Sequence, residues 1–256
     1  MTDETPATEP ARRPPWLTGA RAGYAALGVS AVALVLAALP YFTGGPGVRA
    51  YLLAHPEVLQ ETSLALQNKD AQSRVEQTNQ LAAANAALLA PDARDPAFGP
   101  ADAKVTVLEF FDFRCPGCKA VAHDYRALMA AHPEVRFVFK DWPILDRGDD
   151  VTSQYAARAA LAAHQQGKYL AVYDALMNAP ALTMEDVDRI LAENGVDMTQ
   201  AKASIGSNDT TRHIADIHTT AAALRLQGTP TFFVNGKASP SIDPAEIGRL
   251  IEAAKR

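Results

Sequence analysis

Cys115 and Cys118 are the only two cysteines in this chain of 256 residues, and two residues separate them. A thiol pair at that spacing suits three kinds of chemistry: a redox cycle, a soft-metal site or a structural disulfide. The structural disulfide is disfavoured, because closing so small a loop removes little entropy from the unfolded chain. A closed zinc site needs four ligands, and without a second cysteine pair the rest must come from His55, His123, His132, His164, His213 and His218. Only His213 and His218 approach ligand spacing, and five residues apart they share a helix face poorly, so they read as surface histidines. No metal or other cofactor is expected. Copper held by the two thiolates stays open as the alternative in which the chain is a binding protein.

The segments around the pair predict how it is positioned. Val105 to Phe113 is crowded with Val, Leu and Phe, as in a strand buried on both faces, and Pro116-Gly117 then turns the chain. From Lys119 to His132, Val121, Tyr125, Leu128 and Met129 recur on one helical face. The cysteines therefore sit where a strand feeds a helix N-terminus, whose free N–H groups and dipole favour a thiolate. Cys115 is the expected nucleophile, and Cys118, one turn on, can attack a mixed disulfide formed at Cys115. Pro116 fits the first turn because no N–H is needed there. Glu109 is either an outward, solvated charge or a buried acid, and a doubly covered strand favours the buried reading. A buried Glu109 needs a cation nearby. Lys140, at the end of the next strand, is that candidate, and a solvated strand-end lysine is the competing reading. Asp112 and Arg114 read as surface charges, and His123 is expected to point away from Cys118.

A second stretch, QGTPTFFVNGK from Gln227 to Lys237, places Pro230 at the start of a Thr/Phe/Val run, a position open to proline only at a strand's beginning or edge. With VLEFFDFRCPGC, Val107 to Cys118, it resembles the DsbA family of thioredoxin-fold thiol-disulfide oxidoreductases. The resemblance covers most of Asp95 to Arg256. It implies that Pro230, preceded by Thr229, is a cis-proline facing the cysteine pair, and that Glu109 is the acid under the active site assisting proton transfer at the resolving cysteine. It also implies a helical domain inserted at about 149–226, a region already rich in helix signals such as Thr183 with Asp186, which open MEDVDRILAE like a capping box. The fold class is α/β, thioredoxin-like, over residues 101–256.

Ahead of that domain, residues 1–21 hold four prolines and mixed charge and read as a disordered cytoplasmic tail. Residues 22–42 carry no charge, and Arg12, Arg13 and Arg21 precede them. This predicts a transmembrane anchor with a cytoplasmic N-terminus, with a cleaved signal peptide as the alternative. Gly44 to Gly47 reads as a break, residues 48–90 as a polar helical stalk, and residues 91–100, with three prolines and a glycine, as a linker. The Y-L-L-x-x-P-E-V run from Tyr51 resembles the N-terminal segment of ScsC-type proteins. That implies a homo-oligomer, a trimer in some members; a monomeric spacer is the competing reading.

Together these readings imply a disulfide-exchange enzyme, anchored in a bacterial inner membrane and working in the periplasm, or soluble there after signal cleavage. Its partners would be unfolded or misfolded exported proteins with cysteines and a membrane redox protein. Thr before the cis-proline resembles the isomerase-like members of the thioredoxin-fold superfamily, and an oligomer would also favour isomerase or general interchange, with disulfide-forming oxidase as the alternative. A net charge of −5 and the lack of a basic patch argue against a nucleic-acid partner.

Overall fold

The computed structural model describes residues 20–256, except the side chains of 20–23, 25–26 and 39–46. The expected tail, 1–21, lies almost wholly outside the described residues. The chain divides into two compact units, residues 1–67 and 68–256. In the first, helix α1 spans Ala20–Ala54 and runs through the glycines at 44, 45 and 47. Glycine weakens a helix by about 1 kcal/mol relative to alanine without forbidding it, so the expected break does not form. Among the described residues no helix is long and apolar enough to cross a membrane. The expected span, 22–42, includes side chains at both of its ends that lie outside the described residues.

Helix α2, Pro56–Ala84, follows, and from Asn68 onward it belongs to the second unit. That unit continues with strands β1 (Ala97–Phe98) and β2 (Thr106–Phe111), helix α3 (Pro116–Ala131) and strand β3 (Arg136–Asp141). Five helices come next: α4 (Thr152–Gln165), α5 (Tyr169–Asn178), α6 (Met184–Glu193), α7 (Met198–Ile205) and α8 (Asn208–Ala223). Strands β4 (Thr231–Val234) and β5 (Lys237–Ala238) and helix α9 (Pro244–Lys255) close the chain.

The five strands form one sheet in the order β1-β3-β2-β4-β5. β2 and β3 are parallel, as a right-handed β-α-β crossover requires, and β4 returns antiparallel beside β2. β2 is therefore central, paired on both edges, and its Val, Leu and Phe side chains are buried on both faces. One face carries Val107, Phe111, Phe137 and Phe139 into a core shared with α3, α5 and α9. The other carries Leu108, Phe110, Val138 and Phe233 against Ile217 and Ala221 of α8.

From Val75 onward, the stretch read as stalk and linker is built into this second core. Ala82 and Leu89 are buried in it, and Val75, Leu81 and Leu88 pack against it. The Asn79 side chain accepts a hydrogen bond from the Ala238 amide (2.7 Å), which occupies a donor on the outer strand of the sheet. Ala97 and Phe98 pair with β3, and Gly99 ends that edge with φ +89°. A Cβ at Gly99 would lie 2.0 Å from the Val135 carbonyl oxygen, so only glycine fits there. The five middle helices occupy the region expected to be helical. α6 opens with the Thr183–Asp186 capping box and stops at Gly195, φ +68°.

Candidate active site

Cys115 is the N-cap residue of α3, and Pro116 takes the first helical position. The Cys115 amide donates to the Asp112 carbonyl (3.0 Å), closing the turn that lifts the chain out of β2 into the helix. The two sulfurs differ sharply in setting, for Cys115 is 8% exposed and Cys118 is fully buried. Both are free thiols. A hydrogen bond from the Cys118 thiol is the main reason the Cys115 pKa drops, down to about 5, and the backbone amides of Cys118 and Gly117 add to it against the cost of burial. Burial is the main reason Cys118 moves the opposite way, well above the ordinary thiol range, and its donation to Cys115 adds to that. The pair is thus split into one anion and one protonated thiol at neutral pH.

The Thr229–Pro230 peptide is cis and lies directly against this pair. The Cys115 thiol, when protonated, donates to the Thr229 carbonyl at 3.2 Å. A Cβ on Gly117 would sit 3.3 Å from the Pro230 Cδ and 3.7 Å from the Cys115 sulfur, so glycine keeps the surface between proline and sulfur clear. Four of the six predicted site residues, Cys115, Cys118, Thr229 and Pro230, therefore meet at one place.

Glu109 lies beneath them, fully buried on β2. Its Oε2 accepts a 3.5 Å hydrogen bond from the Tyr173 hydroxyl, while its Oε1 has no hydrogen-bond partner among the described residues. Burial first, and then the charge of Asp141, hold its pKa well above the ordinary carboxylate range. The Glu109 charge acts in turn on Cys118. Lys140 is not the cation for Glu109. Glu109 pairs in register with Phe139, whereas Lys140 pairs with Phe110, so the two side chains leave opposite faces of the sheet. Lys140 binds Asp95 instead, at 2.5 Å, with both groups buried. The group that shares a face with Glu109 is Asp141, whose pKa burial pushes up to about 8. Tyr169 donates to it at 3.0 Å. Two carboxyls, each held by a tyrosine of α5, thus stand under the cysteines where a carboxylate and an ammonium were expected.

The thioredoxin family profile matches residues 91–253, more than half of the sequence. The chain belongs to the thioredoxin family. Residues 45–72 match the N-terminal domain of the copper resistance protein ScsC. The Na(+)/H(+) antiporter NhaA 3 of Salinispora tropica is 34% identical over 148 residues, 57% of this chain and 22% of the antiporter. The chain spans only that small part of the antiporter relatives' length. The probable disulfide bond formation protein D of Bacillus anthracis is 28% identical over 160 residues, 57% of this chain and 72% of that protein. Among solved structures, a thioredoxin-like oxidoreductase from Silicibacter pomeroyi DSS-3 is 37% identical, covering 64% of this chain and 94% of its own, with a TM-score of 0.59. ScsC and DsbA-like structures share the fold.

Within this thioredoxin-family site, several residues do work their sequence positions did not suggest. Asp112, read as a surface charge, is buried and accepts from the amides of Ile144 (2.8 Å) and Leu145 (3.1 Å) and from the Ser153 hydroxyl (3.0 Å). It ties the end of β2 to the loop after β3. Lys119, next to Cys118, donates to the carbonyls of Leu176 (2.9 Å), Met177 (3.3 Å) and Ala179 (2.7 Å), capping the C-terminal end of α5. His213, read as a surface histidine, is buried with Nε2 3.3 Å from Asp95 Oδ1, whereas His218 accepts from the Trp142 indole N–H at 3.1 Å. The period of the helix turned them apart, but their burial depended on Asp95 and Trp142, far off in sequence. His123 is exposed and directed at Asp124. Among the described residues no group of three or more His, Cys, Asp or Glu side chains is arranged to hold a metal ion.

Proposed function

We propose that this chain is a thiol-disulfide oxidoreductase of the DsbA and ScsC type, acting on protein disulfides through Cys115 and Cys118 and tuned for interchange or isomerisation. One observation carries the reading: a cysteine at a helix N-cap, its pKa down to about 5, faces a cis-proline while its partner thiol is buried and protonated.

The cycle follows from that asymmetry. The Cys115 thiolate attacks one sulfur of a client disulfide, and the other client sulfur leaves as a thiolate that takes a proton from solvent. Cys118 must then lose its proton to attack the Cys115 sulfur of the mixed disulfide, releasing the client as a thiol and leaving the enzyme oxidised. Run backwards, the same steps oxidise a client dithiol. Glu109, buried and coupled electrostatically to Cys118, is the proposed proton partner at that step. Once Cys115 has ionised, the Thr229 carbonyl no longer receives its proton and is free for a backbone amide of an extended client.

Three further parts of the reading concern where and how the enzyme works. The uncharged run 22–42 supports an anchor that holds the catalytic domain in the periplasm, and a bilayer and a membrane redox protein are then its partners. The match of residues 45–72 to the ScsC N-terminal domain supports a homo-oligomer. So do the exposed Leu53, Leu59, Leu64 and Leu66, apolar side chains that a second copy would cover. Several sites around one misfolded client would raise the local thiol concentration and favour isomerisation over net oxidation.

Recovery of activity from scrambled ribonuclease, run beside reduction of insulin, tests the proposal. The wild type should catalyse both and Cys115→Ala neither. A wild type that oxidises reduced ribonuclease but does not unscramble it would shift the assignment to oxidase. Copper binding by a protein that exchanges no disulfides at all would favour the binding-protein alternative.

A further inference from the structure

A groove of about 410 Å³ is lined by Pro230, by α2 and by the 239–242 loop. Its walls include Val75, Pro230, Phe232 and Ile242, and its only charged lining residues are Arg74 and Arg225. Both arginines are exposed, and among the described residues neither lies within 4 Å of a carboxylate. A concave channel of mixed apolar and neutral polar lining, with two unpaired guanidinium groups and no acid, is an unusual surface for a chain of net charge −5.

Arg225 is informative by its backbone. It follows the C-cap of α8 with φ +54°, its amide bonded to the Ala222 carbonyl (3.0 Å) and the next amide, of Leu226, to Ala221 (2.9 Å). Glycine is the ordinary residue at such a left-handed helix end, and a side chain there is held against a steric cost. The arginine's charge suits the C-terminal end of the helix dipole, and its exposed side chain also lines the groove.

Continuity with the active site says what would lie in the groove. The Thr229 carbonyl lies 3.2 Å from the Cys115 sulfur, and the next residue, Pro230, lines the groove, so a polypeptide engaged at Cys115 and Thr229 has the groove one residue away. We propose that the groove receives the client segment flanking its reacting cysteine, and that Arg74 and Arg225 select segments with an acidic side chain a few residues from that cysteine. This rests on the exchange reading above and adds a client class to it.

The test uses the full chain and two matched unstructured peptides. Each carries one cysteine as a mixed disulfide with mercaptoethanol, flanked by Glu in one and by Lys in the other. Cys115 attacks the peptide sulfur, mercaptoethanol leaves and takes a proton, and Cys118 releases the peptide thiol, leaving the pair as a disulfide that added glutathione reduces for the next turnover. Each kcat/KM is divided by the same protein's rate on neutral hydroxyethyl disulfide, a substrate too small to fill the groove. The wild type should prefer the Glu peptide roughly three- to tenfold at low salt, as two exposed ion pairs allow, mainly through KM. The preference should shrink at about 0.5 M salt. Arg225→Gly, which suits the backbone, should bring the two peptides near equality, and Arg74→Glu should reverse the order. Equal wild-type rates overturn the proposal, whether the peptides bypass the groove or a second copy fills it, and so does a preference that survives both substitutions. A wild type inert even to hydroxyethyl disulfide overturns the exchange reading itself.

Discussion

Cys115 and Cys118 sit one helical turn apart and experience opposite electrostatics, because one stands at the open end of α3 and the other inside it. That difference was legible from spacing alone, since a strand running into a helix dictates which cysteine meets the free amides. What lies under them was only half legible. A central strand implied that Glu109 is buried, but the sequence could not say which face of β3 it meets, and a register shift of one residue decides between Lys140 and Asp141. The consequence has a definite sign. Asp141 is raised from 3.8 to about 8 in the fold, so its contribution is fully favourable below the unfolded value and is lost as pH rises through about 8. Asp141→Asn keeps an oxygen for the Tyr169 hydroxyl and should flatten that decline. Urea melts from pH 5 to pH 9 should show the variant gaining on the wild type by several kcal/mol at the alkaline end, and parallel curves would refute the burial argument. At Gly117 the argument is steric. Gly117→Ala places a methyl 3.3 Å from Pro230 and 3.7 Å from the reactive sulfur, so insulin reduction should fall roughly tenfold, while a small disulfide should be affected far less.

At the scale of elements, the position of α5 matters most, since Tyr169 and Tyr173 hold both buried carboxyls. Its C-terminal carbonyls are gathered by Lys119 of α3, an ammonium whose pKa burial lowers and whose three acceptors are all backbone oxygens. Lys119→Met removes the donor and leaves those carbonyls half-satisfied, which should destabilise the protein by about 2 kcal/mol in urea denaturation. An unchanged midpoint would mean that α5 is fixed by packing alone. The individual helices and strands were readable from their periods, and the Thr183–Asp186 capping box was readable from two residues. β1 was not. Two residues of strand set among three prolines look like linker, and only pairing with β3, beyond the reach of a local pattern, makes Ala97 and Phe98 part of the sheet.

At the scale of the whole molecule, the second unit starts well before the thioredoxin-like strands. Ala82 and Leu89 belong to its core, and Asn79 caps its outer strand. The sequence shows a three-four alternation through Val75, Thr78, Ala82 and Leu89 that reads as a face for a second copy, and because these side chains are few and mostly small it does not say that they join this core. Removing residues 1–67 should therefore leave a cooperatively folded catalytic unit, whereas removing residues 1–90 uncovers the Leu108, Phe110 and Phe233 face and should cost roughly 2–4 kcal/mol, read by thermal or urea melts of the two truncations. Light scattering on the full chain and on the 68–256 truncation tests assembly separately: a multimer that becomes a monomer on losing residues 1–67 fits the proposed oligomer, and a full-length monomer contradicts it. The exchange chemistry itself presupposes a Cys115 thiolate at neutral pH. The reduced protein titrated by thiolate absorbance, beside Cys115→Ala, tests that most directly. The wild type should show a single low step with a midpoint near 5 that the substitution abolishes. A wild-type midpoint near 9, or a low step that persists in Cys115→Ala, would contradict the account.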